Sequence, residues 1–114
     1  MQPVVRVSFL RCPPERFAEL RQMADEAYPA LRPGIEAIAG LLAFCCGADE
    51  ATSSLPNVSP WTSLEAAKQL DTFQPMLELG EPFTTKGATL ERPIMNCAAL
   101  WHLEGPAEPC RAAS

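Results

Sequence analysis

The hydrophobic period of this chain switches repeatedly between that of a strand and that of a helix. The order of those switches narrows the fold more than any single residue does. Val4 to Arg11, VVRVSFLR, alternates with period two. Val5, Val7 and Phe9 fall on one face of this predicted strand, and Val4, Arg6, Ser8 and Leu10 on the other. Pro13-Pro14 ends it. Phe17, Leu20, Ala24, Ala27 and Tyr28 then recur at helical spacing, which predicts a helix from Pro14 to Tyr28. Pro14 suits a first turn, where its missing N–H costs nothing, and Glu15 complements the helix dipole. Pro29 is expected to stop the helix and Pro33-Gly34 to turn the chain. Ile35 to Gly40 has room for one helical turn.

Leu41 to Cys46 reads as a second strand, apolar on both faces, and Gly47-Ala48-Asp49-Glu50 as a loop or hairpin. A third strand spans Thr52 to Trp61, weakened by Pro56 and Pro60, which belong at edges or bulges because they cannot donate to a ladder. Thr62 is the expected N-cap of a second helix, forming a capping box with Glu65. Leu64, Ala67, Leu70 and Phe73 make its apolar stripe; Pro75 breaks or kinks it, and Gly80 is the expected C-cap. The last strand is read as Thr89 to Leu103, with Pro93 marking an edge or bulge. Met95, Cys97, Ala99, Trp101 and Leu103 share one face; Ile94, Asn96, Ala98, Leu100 and His102 share the other.

The order is βαββαβ, the ferredoxin-like α+β arrangement: a four-stranded antiparallel sheet with two helices on one face. The other face also reads as apolar. A half-covered apolar sheet wants a partner. The chain is therefore expected to be a homodimer whose two sheets pack into a barrel. One domain over residues 1–104 and a flexible tail over 105–114 follow from the same reading.

Composition excludes several classes. With 9 basic and 14 acidic residues and a net charge of −5, the chain has no basic stripe to meet nucleic acid. No apolar run approaches the roughly 18 residues of a membrane span, and the N-terminus lacks the pattern of a signal peptide, so the expected location is cytoplasmic. Five cysteines, Cys12, Cys45, Cys46, Cys97 and Cys110, offer no C-x-x-C. They read as reduced thiols used as small apolar residues, with a redox role at Cys110 or Cys12 as the alternative. No G-x-G-x-x-G, P-loop or G-x-S-x-G occurs, and a single His without nearby ligand pairs gives no metal spacing. No cofactor and no metal are expected.

The Pro33-Gly34-Ile35 turn, Trp61 with Ser63-Leu64-Glu65-Ala66-Ala67 in the pattern W-x-S-x-E-A, and the long final strand resemble the dimeric α+β barrel superfamily. The resemblance is strongest to its antibiotic-biosynthesis-monooxygenase-type members and covers residues 3–104. It implies a pocket between sheet and helices that takes a small aromatic or quinone-like molecule. It also implies oxygenation of that molecule without a cofactor, with a non-catalytic ligand-binding or structural dimer as the alternative. Haem-degrading members pair a strand-one Asn and a strand-three Trp with a helix-two His. Here strand one offers Ser8 and helix two has no His, which argues against haem.

Five residues are candidates for a site. Trp61 is either a pocket wall or a core residue at a strand-helix junction. His102, the sole imidazole, is either a general base or a strand-end surface residue. Asn96 needs partners if buried and can bind a ligand oxygen. Arg6, if buried, must meet a carboxylate or a ligand anion, and Ser8 shares its face.

Overall fold

The computed structural model describes residues 2–107. Strand β1 (Val4–Arg11) lies at the centre of one antiparallel sheet. On one side it pairs with β3 (Ser54–Trp61) in register from Val4↔Trp61 to Arg11↔Ser54. Beyond β3 lies β2 (Cys45–Cys46), through Cys45↔Val58 and Cys46↔Asn57. On its other side β1 pairs with β4 (Thr89–Leu90) near Leu10 and with β5 (Met95–Ala98) from Val4 to Val7. Strands β4 and β5 occupy one lane, so the sheet has the expected four lanes, in the order β2-β3-β1-β4/β5, and the fold is α+β as anticipated. Helix α1 (Phe17–Glu36) follows a 3-10 turn at Pro14–Arg16. Helix α2 (Leu64–Lys68), a 3-10 turn at Gln69–Thr72 and helix α3 (Gln74–Thr85) replace the single second helix.

Proline and glycine shift several boundaries. Pro29 and Pro33 do not end α1; both lie inside it. They stand one turn apart on an exposed stripe, and the carbonyls they leave free belong to Asp25 and Pro29, which are exposed to water. Buried Ile35 anchors the far end of the helix. Gly34 makes no turn. It lets Phe73 pack against the helix, since a Cβ at Gly34 would come within 2.9 Å of the Phe73 ring. Gly80 is not a C-cap but a mid-helix residue of α3, which runs on to Thr85 and ends before Gly87 at φ +96°. The cap of α2 is Ser63, whose hydroxyl accepts from the Ala66 N–H at 3.2 Å, one residue later than expected. Thr62 instead donates its backbone N–H to Gly40, continuing the contact between the two chain segments.

The strands deviate where proline removes a donor. The final strand is interrupted between β4 and β5, around a cis Arg92–Pro93 bond, and Leu100–Leu103 leaves the sheet as an exposed arm. The second strand survives as two ladder residues plus a Leu41↔Trp61 bridge. Pro56 and Pro60 nonetheless sit within β3, which has neighbours on both sides. Their carbonyls accept from Gly47 and Leu42, on the β2 side. In an extended strand the N–H and C=O of one residue point the same way, so the missing donors also face β2 and the ladder to β1 stays whole.

All helices cover one sheet face, that of Val4, Arg6, Ser8 and Leu10. Two apolar clusters form beneath them. One gathers Cys12, Phe17, Leu20, Leu55, Phe83 and Ala88. The other gathers Val4, Trp61, Ala67 and Leu70, with Ile38, Leu41, Phe44, Phe73 and Met76 against it. Lys86 ties the end of α3 to α1 through Glu19 at 2.7 Å. The opposite sheet face carries Val5, Val7, Phe9, Pro56, Val58, Pro60, Met95 and Cys97 with no element of the described chain over it; Val58 is 39% and Met95 51% exposed.

Two glycines make opposite predictions. Gly40 has φ +87°, and a Cβ there would lie 2.6 Å from Ala66 Cβ, so Gly40→Ala should cost about 1–3 kcal/mol. Gly80 has open space around it, so Gly80→Ala should stabilise by about 0.5–1 kcal/mol. Urea titration of both variants checks the sign. Trp61→Ala should cost about 3–5 kcal/mol in the same assay, as truncation of a fully buried ring does.

Candidate functional site

The helix-covered face is apolar at both ends and polar in the middle. Register places Arg6 between Ser59 of β3 and Asn96 of β5, and Ser8 beside Asn57. These residues form a polar belt across the sheet, separating the two apolar clusters. Strand alternation produces it directly, because residues two apart on one strand share a face. The belt ends in a cleft at each side of the sheet.

The larger cleft, about 1150 Å³, opens between α1, the β2 edge and α3. Leu10, Leu55 and Asn57 form its floor; Tyr28, Leu31, Phe44, Met76 and Phe83 line it elsewhere. Arg21, Asp25, Arg32 and Glu36 of α1 also border it. Arg32 donates to Glu36 at 2.6 Å, and that hydrogen bond holds the guanidinium pKa above its ordinary value. Asn57 makes no side-chain hydrogen bond among the described residues, leaving its amide free for a ligand. Sequence reading passed over Asn57. The signal was its place four residues before Trp61 on the same strand face, a polar residue among positions expected to pack.

The smaller cleft, about 590 Å³, opens at the opposite edge and is lined by Arg6, Asp71, Arg92 and Asn96 with Leu70, Leu77, Leu90, Pro93 and Ile94. Arg6 is only 7% exposed and donates to Asp71 at 2.7 Å and to the Ala67 carbonyl at 3.5 Å. The alternatives left open for a buried Arg6 thus resolve into a carboxylate partner. Asn96 Oδ1 is buried and has no hydrogen-bond partner.

The remaining candidates lie apart from the clefts. Trp61 lines neither: it is 0% exposed in the second apolar cluster, and its Nε1–H donates to Ser59 Oγ at 2.8 Å. The indole is fully satisfied by the protein, so in this chain it packs rather than walls a pocket. Ser8 is half-buried in the belt beside Asn57. His102 is exposed on the arm after β5, away from both clefts. Cys12 is buried and burial pushes its thiol pKa up, which disfavours the reactive thiolate a redox sensor needs. Cys110 lies outside the described residues. Among the described residues no group of three or more His, Cys, Asp or Glu could hold a metal, and no helix is long and apolar enough to cross a membrane.

Neither a family model nor a curated protein matches the sequence. Solved structures do match. An antibiotic-biosynthesis-monooxygenase-type protein of Deinococcus radiodurans superposes with a TM-score of 0.65 at 18% identity, over 90% of this chain and 98% of its own. A protein of the same type from Caulobacter crescentus gives 0.63 at 12% identity, over 88% and 92%. SnoaB of Streptomyces nogalater, a cofactor-independent oxygenase solved as an asparagine-to-alanine mutant, gives 0.61 at 13% identity, over 92% and 100%. At these identities the likeness is one of fold, and it extends over nearly the whole of each neighbour. The chain has the α+β fold of the antibiotic biosynthesis monooxygenase-like proteins.

Proposed function

We propose that this protein binds a small aromatic or quinone-like molecule in the larger cleft and oxygenates it without flavin or metal. The observation that carries this reading is the cleft itself: a largely apolar hollow, rimmed by charged residues of α1, with one free amide, Asn57, on its floor. Its volume of about 1150 Å³ lies just above the roughly 300–1,000 Å³ usual for small-molecule sites. Aromatic and aliphatic walls would hold a planar ring, and the Asn57 amide would donate to a phenolate oxygen as its proton leaves. Loss of the proton makes the ring electron-rich enough to pass an electron to dioxygen. One oxygen atom would then enter the substrate and the other leave as water, the substrate supplying the electrons. That one fold neighbour is a cofactor-independent oxygenase supports this chemistry.

The same reading makes the protein a homodimer in the cytosol. The uncovered apolar sheet face supports a second copy there. Free thiols at Cys12, Cys45, Cys46 and Cys97 suit a reducing compartment. His102 remains the proposed base, brought to a cleft by the arm crossing the second subunit. A second reading, binding without turnover, is favoured by one observation: the cleft floor holds an amide but no carboxylate or imidazole, and the arm bearing His102 is exposed.

Asn57→Ala should weaken binding of a dihydroxynaphthalene probe roughly tenfold, the effect of losing one ligand hydrogen bond, as read by fluorescence titration. His102→Ala should leave binding intact and lower oxygen uptake roughly 100-fold, the usual share of a general base. Uptake that is absent in the wild type, with binding still dependent on Asn57, would select the non-catalytic reading. Sedimentation at micromolar concentration should give a dimer burying more than about 1,200 Å² in total, as stable interfaces do. A 12.4 kDa species under those conditions would overturn the dimer.

A further inference from the structure

The smaller cleft carries two features that the larger one lacks. Its charge is unbalanced: Arg6 and Arg92 face it with Asp71 as the only carboxylate in its lining. Asp71 is taken by Arg6. The neighbouring Glu91 is taken by Arg11 at 2.9 Å, and Arg92 makes no ion pair among the described residues. One positive charge is therefore left over.

The second feature is the buried, unpartnered Asn96 Oδ1. A buried acceptor without a donor costs about 1–3 kcal/mol, so native structures usually satisfy it. Arg6 stands directly opposite Asn96 in the ladder but is turned to Asp71 and Ala67. Asn96 lines the cleft, and a turn of its amide about χ2 would bring Oδ1 to a donor placed there. The other walls, Leu70, Leu77, Leu90, Pro93 and Ile94, are apolar.

From this arrangement we infer that the smaller cleft is a separate binding site for a small hydroxycarboxylic acid with a branched apolar body. The carboxylate meets Arg92, the hydroxyl donates to Asn96 Oδ1, and the hydrocarbon lies against Leu70, Leu77, Leu90 and Ile94. The site is distinct from the aromatic cleft and does not depend on the oxygenase reading. Its ligand needs both an anion and a donor, which a quinone does not offer.

Titration of the full chain with 2-hydroxy-4-methylpentanoate and with 4-methylpentanoate, followed by calorimetry and by backbone amide shifts, tests this. The hydroxy acid should bind roughly tenfold more tightly than the plain acid, because only it satisfies the buried acceptor. Shifts should concentrate at Arg6, Asp71 and Leu90 to Asn96. Arg92→Gln, at an exposed position, should weaken both acids by roughly threefold, as exposed charge pairs do, and added salt should mimic it. Asn96→Leu should make the two acids equal; if that variant fails to fold, the wild-type comparison decides alone. A dihydroxynaphthalene probe should not compete, whether or not it is turned over. Equal affinity for the two acids in the wild type would mean that water alone satisfies Asn96 and would overturn the inference. So would the absence of saturable binding at millimolar concentration, or shifts centred on Asn57.

Discussion

Everything that faces the helices does so because of the register between β1 and β3. The pairing runs without a bulge from Val4↔Trp61 to Arg11↔Ser54. Side chains alternate strictly along a strand, so a slip of one residue would exchange the two faces of whichever strand moved. On β1 it would bring Val5, Val7 and Phe9 under the helices and expel Arg6. On β3 it would remove Trp61 from its cluster and Asn57 from its cleft. The hydrophobic ends of the face, Val4 with Trp61 and Leu10 with Leu55, resist such a slip. The polar belt is thus held in place by apolar pairs on either side of it.

Within the belt, Arg6 links sheet to helix layer. Its guanidinium reaches up to Asp71 in the 3-10 turn after α2 and to the carbonyl of Ala67. The arginine side chain is 8% exposed and the aspartate 50%, so the pair is buried at one end only. Removing Asp71 would strand a cation beneath the helices, whereas removing Arg6 would free a carboxylate that water already reaches. The short break between α2 and α3 has a structural use here, since it carries Asp71 over the belt.

The sequence made the sheet legible and left the helices partly obscured. Strand β1 needed no correction, because eight residues of alternation leave little choice of boundary. The ends of β3 were nearly right for the same reason. Helix α1 was cut short in the reading because a proline usually ends a helix; here Ile35 and the Phe73 contact at Gly34 outweigh the lost hydrogen bonds. The final strand was read as continuous because its alternation of faces persists through Leu103, though only Met95–Ala98 finds a partner in β1. Arg6 and Asn96 were legible as polar residues on strand faces. Their meeting was not, since it depends on the pairing of strands far apart in sequence. Asn57 is not legible as a cleft residue, because period-two alternation puts it on the same face as Trp61 without telling which of the two is covered by a helix.

The prolines of β3 also bear on what happens at the sheet's edge. If β2 were to peel away, the freed flank of β3 would present Ser54, Pro56, Val58 and Pro60 in alternation. Half of those positions have no N–H, so the flank is a poor template for a strand from another molecule. An ordinary edge in that position would invite amyloid-like stacking each time it was bared. Were the segment from Leu41 to Cys46, which borders the larger cleft, to open, the bared flank would still resist becoming a step toward aggregation.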